Sequence, residues 1–265
     1  MLLWTTRARG TALAVFALVV TVVFVAPIAT VIAAALAGAW TGPLPSDLGG
    51  EHLGAALSDE NLASLSVSLQ TAFIAGGIAL FVGTWAALAA REAPAWLRKT
   101  TDAVFHLPIA VPSVAIGLGL LIAFNSKPLL LGGTKWIVIL AHTVLVTAFA
   151  HQSVSAAIRR LDPMYEQAAA SLGARPSYVL LRVRLPLLLP SLNAAAGLCF
   201  ALSMGELSAT MMLYPPDWLP LPVLIFTATD RGSLFTGSAL AVVLMAATLL
   251  VLLAVSRVRT KASYR

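Results

Sequence analysis

The chain has 265 residues, of which 59% are hydrophobic and only 11% are charged, and its mean hydropathy is +0.91. Soluble domains carry about 25% charged residues, so this composition excludes a water-soluble fold, and it equally excludes disorder, a disulfide-stapled domain and a collagen-like repeat. The net charge of +6 comes with no basic run beside an aromatic platform, which excludes nucleic acid as the partner and indicates a membrane protein.

Six uncharged runs of 21 to 37 residues follow one another along the chain. A helix needs about 20 apolar residues to cross the hydrocarbon core, and only a helix satisfies its own backbone hydrogen bonds there. None of the runs has the polar and apolar alternation of a barrel strand. The sequence therefore predicts an all-α integral membrane protein with six transmembrane helices, in the runs 10–46, 61–90, 103–126, 136–158, 185–205 and 232–256.

The basic residues between these runs predict the orientation, because loops rich in Lys and Arg stay in the cytoplasm. With the N-terminus inside, 14 of the 17 Lys and Arg residues are cytoplasmic, whereas the segment 38–68 has acidic residues and no Lys or Arg. We therefore expect both termini in the cytoplasm. The first apolar stretch exceeds the roughly 7 to 15 residues of a signal peptide, so we expect a retained first helix. Residues 1–265 are expected to form a single transmembrane domain.

The third run is rich in proline and glycine. Pro108 and Pro112 are four residues apart, and Ser113 and Gly117 follow them. Such residues weaken the helical ladder, which is tolerated at membrane depth where the backbone lines a cavity or packs on protein. These four residues are candidates for lining a route through the membrane. A kinked helix that packs through small residues is an equally good interpretation.

The longest predicted cytoplasmic connection spans 159–186. Asp162 suits the N-cap of a short helix, and Gly173 can take the left-handed conformation that ends one. Pro176 suits the first position of a second short helix, which we expect to end before Pro186. The connection is thus predicted to be two short helices that meet at a glycine. The alternative is an amphipathic loop whose arginines face anionic lipid headgroups.

A spaced pattern runs through this connection, at positions Gln167, Ala168, Ala169, Gly173, Val183, Leu185 and Pro186. It resembles the cytoplasmic signature of the permease subunits of binding-protein-dependent ABC importers with the type I fold. That signature reads Glu-Ala-Ala, three residues, Gly, nine residues, then Ile-x-Leu-Pro. Gln167 stands where the signature has Glu, and Val183 where it has Ile. The neighbouring carboxylate, Glu166, lies about 100° around the helix from Gln167.

The resemblance implies a permease core at 62–256 and a coupling loop at 159–186 that docks on a separate ATPase subunit. The residues implied in that contact are Glu166, Gln167, Ala168, Ala169, Gly173, Val183, Leu185 and Pro186. It also implies a second permease subunit, identical or different, an external solute-binding protein, and a multi-pass location in the lipid of a bacterial inner membrane. The sequence has no G-x-x-x-x-G-K-[ST] phosphate loop, so we expect ATP hydrolysis on the partner and neither enzymatic activity, cofactor nor metal here.

A second pattern follows the fifth run, where Gly205, Glu206, Ala209 and Thr210 are followed by Leu-Tyr-Pro-Pro. It resembles the Gly-Glu-x-x-Ala-Thr segment of importers for sulfate, molybdate, iron, polyamines, thiamine and aminoethylphosphonate, and the last branch is the most similar. The implied substrate is a small polar or anionic solute such as a phosphonate. Glu206 is a functional candidate as an intramembrane acid, or alternatively a hydrated surface carboxylate. The candidate pathway or gate residues are Pro108, Pro112, Ser113, Gly117, Asn193, Glu206 and Thr210.

Two other functions remain as alternatives, a stand-alone secondary transporter or channel and a scaffold without a pathway. The few ionisable groups within the runs and the lack of an inverted repeat disfavour a secondary transporter. His142 and His151 lie nine residues apart on opposite faces of the fourth helix, so each is expected to pack or to form hydrogen bonds rather than to share a metal. Cys199 is expected to be a small core residue.

Overall fold

The computed structural model describes residues 6–257. Both termini lie outside the described residues, together with the basic residues Arg259, Lys261 and Arg265, so the orientation of the termini stays a prediction. The elements in chain order are α1 (Thr6–Val20), a π-helical segment (Thr21–Val25), α2 (Ala26–Leu36), β1 (Ala37–Ala39), β2 (Ser46–Leu48), α3 (Glu51–Ala56), α4 (Asp59–Glu92), α5 (Ala95–Ala110), α6 (Ser113–Phe124), α7 (Lys135–Arg160), α8 (Met164–Ser171), α9 (Pro176–Val179), a second π-helical segment (Leu180–Arg184), α10 (Leu185–Met204), α11 (Thr210–Leu213), α12 (Leu221–Asp230) and α13 (Leu234–Arg257).

Within residues 6–257, five continuous helical stretches are long and apolar enough to cross a membrane. They are Ala8–Leu36, Asp59–Glu92, Lys135–Arg160, Pro176–Met204 and Leu234–Arg257. The helices α5 and α6 pass the same test only as a pair, and they meet at an angle of 104°. Counted as one span, this pair gives the six transmembrane segments that the sequence predicts, but the third is not a single helix.

The break between α5 and α6 has a local cause at Pro112. Val111, the residue before this proline, is extended, with φ −103° and ψ 132°, because the proline ring disfavours the helical conformation of the preceding residue. Pro112 itself precedes the first residue of α6. Pro108, in contrast, lies inside α5 and does not end it. Of the two prolines that were expected to weaken the third helix, only the second one breaks it.

The second short helix of the 159–186 connection was predicted to end before Pro186, and this prediction is wrong. From Pro176 the chain continues without a break through α9, the second π-helical segment and α10 to Met204. The N–H of Leu185 bonds to the carbonyl of Leu180, five residues back. This wider π turn just before Pro186 accommodates a residue that lacks an N–H donor. The fifth transmembrane helix therefore begins nine residues earlier than the uncharged run.

The chain divides into two compact units, of which the first contains residues up to 62 and 224–245. In this unit β1 pairs antiparallel with β2, with Ala37 opposite Leu48. Gly38 lies so close to β2 that a Cβ there would be 2.9 Å from the carbonyl oxygen of Asp47. The acidic segment 38–68 thus contains a hairpin and a short helix that the sequence did not predict, because its strands of three residues are too short to show alternation.

The second unit contains residues 63–223 and the chain from 246 onward, and it holds the candidate site. One buried cluster joins α4, α7 and α10 through Leu88, Val154 and Leu188. Helices α4 and α7 approach so closely that a Cβ on Gly83 would be 2.8 Å from the backbone nitrogen of His151. Small residues at helix contacts are typical of membrane bundles, since water release between helices cannot drive their association in lipid.

Candidate coupling site and membrane segment

The short helix α8 has the ends that the sequence predicts. Asp162 Oδ1 accepts the N–H of Met164 at 2.9 Å, which satisfies one of the free donors at the start of the helix. Gly173 has φ +81°. Its N–H bonds to the carbonyl of Ala170 at 2.9 Å, and the N–H of Ala174 bonds to that of Ala169 at 3.1 Å. These two bonds form a Schellman motif, so Gly173 ends α8 as expected.

An open groove lies where α8 and α9 meet, and its volume is about 710 Å³. Its lining residues are Ala169, Leu172, Gly173, Ala174, Arg175, Ser177, Tyr178, Leu181 and Arg182. Leu172 is 89% exposed, and Tyr178 and Leu181 are each 58% exposed. Three large apolar side chains and two arginines in the lining of an exposed groove form a surface that a protein or a lipid could cover.

The other predicted coupling residues do not all meet in this groove. Gln167 and Ala168 are exposed on α8 but do not line it, whereas Ala169 and Gly173 do. Val183 and Pro186 are half-buried, and Leu185 packs against the buried cluster of α4, α7 and α10. The first half of the signature therefore lies at the exposed elbow, and the second half lies where the fifth transmembrane helix enters the bundle.

The carboxylate of Glu166 binds two arginines of the same chain. Its Oε1 accepts bonds from Arg91 Nη1 at 2.7 Å and Arg184 Nε at 3.0 Å, and its Oε2 accepts one from Arg184 Nη2 at 2.8 Å. Arg184 Nη2 also contacts Glu92 Oε1 at 3.1 Å. The hydrogen bonds from Arg184, followed by those from Arg91, hold the pKa of the Glu166 carboxyl below its usual range. Sequence reasoning missed both arginines, since basic residues near the ends of helices are expected from orientation alone.

The candidate pathway residues of the third run are spread over both halves of the broken span. Pro108 and Ser113 are half-buried and Pro112 is exposed. Gly117 is buried, and a Cβ there would be 2.9 Å from Cα of Ala209. Gly117 therefore allows α6 to touch the chain that follows α10, as the packing interpretation expects. Asn193 is half-buried within α10.

The carboxylate of Glu206 is not a hydrated surface group, because only 11% of its side chain is exposed. Oε1 accepts the N–H of Ala209 at 2.9 Å, and Oε2 accepts the N–H and the hydroxyl of Thr210 at 3.0 and 2.7 Å. His142 continues the network, with Nε2 2.8 Å from Thr210 Oγ1 and Nδ1 2.7 Å from Ser203 Oγ. Glu206 and Thr210 thus come together, and the hydrogen-bonding role expected for His142 is confirmed.

The direction of the bonds at Thr210 follows from Glu206. Because the Thr210 hydroxyl donates to the carboxylate, it accepts from the His142 Nε2–H, and the opposite ring nitrogen, Nδ1, contacts the Ser203 hydroxyl. His151, in turn, lies 2.9 Å from Asp102 Oδ1 through Nε2. Over residues 6–257 no group of three His, Cys, Asp or Glu side chains could hold a metal ion.

Comparison with known proteins relates this chain to transport proteins. Residues 79–261 match the family described as binding-protein-dependent transport system inner membrane component. The putative 2-aminoethylphosphonate transport system permease protein PhnV of Salmonella typhimurium is 44% identical over 258 residues, which are 97% of each chain. A chain of a bacterial ABC transporter for the import of the acidic polysaccharide alginate has a similar structure, with TM-score 0.74 at 14% identity over 96% of both chains.

The inward-facing MetNI methionine ABC transporter contains a similar chain as well, with TM-score 0.63 at 18% identity over 79% of this chain and 100% of that chain. These two structures show the importer permease fold, and the family match covers more than half of the chain. The chain therefore belongs to the inner membrane components of binding-protein-dependent transport systems, as the permease subunit of an ABC importer.

Proposed function

We propose that this permease subunit imports a small anionic solute of the phosphonate class and takes its driving force from a separate ATPase subunit that docks at the α8–α9 groove. The full assembly would contain a second permease subunit, a pair of ATPase subunits and an external solute-binding protein. Supporting the substrate class, the 44% identical relative is named for 2-aminoethylphosphonate transport. The motif that resembles the same branch, from Gly205 to Thr210, lies in the buried network of Glu206.

The single observation that supports the docking site is the exposed groove that Gly173 lines, where α8 ends. Leu172 is 89% exposed at the end of a helix that buries no residue. A side chain of this size gains free energy when a partner removes it from water, by about 25 cal/mol for each Å² buried. A groove in an ATPase subunit would cover the elbow of α8. An anionic lipid surface is the alternative occupant, because Arg175 and Arg182 line the groove.

A matched pair of glycine variants tests the docking site. Gly173 and Gly232 both have positive φ, at +81° and +83°, and neither would meet a neighbouring atom within 4 Å if it carried a Cβ. Both also end a helix in the same two-bond motif, since Ser233 bonds to Ala228 as Ala174 does to Ala169. Gly173→Val and Gly232→Val therefore introduce the same backbone strain, of about 1 kcal/mol or more. Only Gly173 lies at the groove.

We expect Gly173→Val to lower both co-purification of the ATPase subunit and substrate-stimulated ATP hydrolysis, whereas Gly232→Val leaves both at the wild-type level. Ala169→Asp, which places a charge in the groove, should act like Gly173→Val. Equal behaviour of the two glycine variants would show that the elbow is not a docking site. Normal co-purification combined with lost binding to vesicles containing anionic lipid would favour the lipid occupant.

The proposed orientation is tested with single cysteines in a Cys199→Ala background. Ser177 lies at the groove and Ser58 lies just before α4, in the acidic segment 38–68. An impermeant thiol reagent added to intact cells should label position 58 and not position 177. Labelling of position 177 from outside would reverse the orientation and remove the docking site from the cytoplasm.

Substrate class is tested by uptake into cells that carry the complete transporter. We expect uptake of labelled 2-aminoethylphosphonate, with competition by other small phosphonates and none by sulfate or molybdate. Uptake that persists when the ATPase subunit is inactivated would favour the stand-alone transporter instead. Loss of uptake on deletion of the solute-binding protein would support the importer.

A further inference from the structure

We propose that Glu166 is a positioning residue that fastens α8 to two transmembrane helices, so that a displacement of α8 is passed to α4 and to α10. This inference rests on the proposed coupling role of α8 and assigns Glu166 a place on the permease side of it. The sequence pattern had grouped Glu166 with the residues that contact the ATPase subunit. Its bonds in the structure all go to its own chain.

The geometry joins three separate parts of the second unit at one carboxylate. Arg91 lies in the last turn of α4, 75 residues before Glu166, and Arg184 lies 18 residues after it, at the entry to α10. Arg184 uses both its Nε and its Nη2 on the two carboxylate oxygens, which is the forked arrangement that fixes direction as well as distance. Movement of Glu166 away from either helix therefore stretches a bond to that helix.

Apart from this carboxylate, α8 has few contacts that would hold it against the rest of the protein. None of its eight residues is buried, so the burial of apolar surface, which fixes most helices, is nearly absent here. The carboxylate is the exception, since only 17% of the Glu166 side chain and 14% of the Arg184 side chain are exposed. Ion pairs that are shielded to this degree are screened less by salt than pairs at an open surface. The position of α8 relative to α4 and α10 therefore depends chiefly on this ion pair.

The two faces of α8 have different contacts. Gln167 is exposed, while Glu166, one residue before it, faces the bundle. Both carboxylate oxygens of Glu166 already accept hydrogen bonds from arginines of the same chain. The exposed elbow from Ala169 to Gly173 is therefore the part of α8 that is available for docking. Docking and transmission are thus assigned to different faces of one short helix, and they can be separated by mutation.

The first test compares Glu166→Gln with Glu92→Gln in the complete transporter. Both changes remove one carboxylate charge from the same network, but Glu92 is 67% exposed and its carboxylate contacts a single nitrogen of Arg184. We expect Glu166→Gln to keep co-purification of the ATPase subunit within about twofold of wild type and to lower the solute transported per ATP hydrolysed severalfold, because a loosened α8 passes less of its displacement to α4 and α10. Glu92→Gln should leave both quantities near wild type.

Two results of this test would overturn the proposal. Loss of co-purification in Glu166→Gln but not in Arg184→Gln would place the carboxylate at the docking surface, and an unchanged ratio of transport to hydrolysis would remove its transmission role. The docking site itself is tested separately by Gly173→Val, so loss of binding in that variant together with a normal ratio in Glu166→Gln would reject the fastening role alone.

A second test needs the permease without its ATPase partner. A nitroxide label at Ala170, which is exposed on α8, is placed in a Cys199→Ala background and followed by electron paramagnetic resonance in lipid nanodiscs. We expect Glu166→Gln and Arg184→Gln each to increase the mobility of the label, and the double variant to add little more, since each single change already breaks the pair. Unchanged mobility in both single variants would show that the ion pair does not hold α8.

Discussion

Glu166 and Glu206 each hold a short helix in place, but they do so in different ways. Glu166 binds guanidinium groups from two other segments, so its role is tertiary and depends on charge. Glu206 binds N–H groups three and four residues ahead in its own chain, so its role is local and depends on acceptor oxygens. The role of a glutamate beside a short helix therefore follows from the groups that it binds and not from its position in the sequence.

Replacement of Glu206 by Leu should have the largest effect on the stability of the protein. It leaves the N–H groups of Ala209 and Thr210 without their acceptor in a part of the chain where both residues are buried. Each unpaired buried donor costs about 1 to 3 kcal/mol, so the free energy of unfolding should fall by about 2 to 6 kcal/mol. The midpoint of thermal unfolding in detergent measures this, with Ser208→Ala, an exposed position in the same segment, as the control.

Glu206→Gln separates the capping role from the proposed place in the pathway. The amide keeps one acceptor oxygen, so we expect an intermediate loss of stability. Uptake divided by the amount of folded protein should stay at the wild-type value if Glu206 only caps α11, and should fall if its charge lies on the route of the solute. Wild-type uptake per folded molecule would remove Glu206 from the pathway candidates.

Gly117→Ala and Gly119→Ala form a matched pair that tests the support of the Glu206 segment from α6. A Cβ on Gly117 would be 2.9 Å from Cα of Ala209, whereas a Cβ on Gly119 would meet nothing within 4 Å. We expect the first change to lower the free energy of unfolding by about 1 to 3 kcal/mol, as overpacking does, and the second to leave it unchanged or slightly higher. An equal effect of the two changes would mean that the contact with Ala209 is not tight in the membrane.

Much of this fold could be predicted because lipid imposes strong rules on a sequence. Uncharged runs of at least 21 residues gave all six spans. The ends of α8 at Met164 and Gly173 also followed from local rules, since a cap and a left-handed glycine depend on only a few neighbouring residues.

The remaining features depend on residues far apart in the chain. The 104° bend at Pro112 could be located but not measured from sequence, since kinked and broken helices share the same prolines. The continuation of α9 into α10 was missed because a π turn has no signal of its own in the sequence. The partners of Glu166 were missed because Arg91 and Arg184 look like ordinary basic residues near helix ends.

The ion pair of Glu166 should respond to pH below the usual range of a glutamate. Its pKa lies below the ordinary value of 4.5 because Arg184 and Arg91 stabilise the charged form. The pair therefore contributes fully at pH values above 4.5, and its contribution is lost as the pH falls through the lower pKa of the folded protein. The mobility of a label at Ala170 should be constant from neutral pH down to 4.5. It should rise as the pH falls through the lower pKa of the Glu166 carboxyl.

The matched control for this titration is Glu166→Gln, which lacks only the Glu166 carboxyl. We expect the label in this variant to be mobile at all pH values, with no step near the glutamate range. A step of the same size in both proteins would show that the change does not come from the Glu166 ion pair.

Glu92→Gln should have the smallest effect. Glu92 Oε1 lies 3.1 Å from Arg184 Nη2, the same nitrogen that is 2.8 Å from Glu166, and 67% of the Glu92 side chain is exposed. Exposed pairs are typically worth about 0 to 1 kcal/mol, and Arg184 keeps its forked bonds to Glu166 when Glu92 loses its charge. A double-mutant cycle between Glu92→Gln and Arg184→Gln, read from thermal unfolding, should give a coupling energy below about 1 kcal/mol, and the cycle between Glu166→Gln and Arg184→Gln a larger one. If the two coupling energies were equal, burial would not distinguish the two carboxylates, and the fastening of α8 would have to be shared between Glu166 and Glu92.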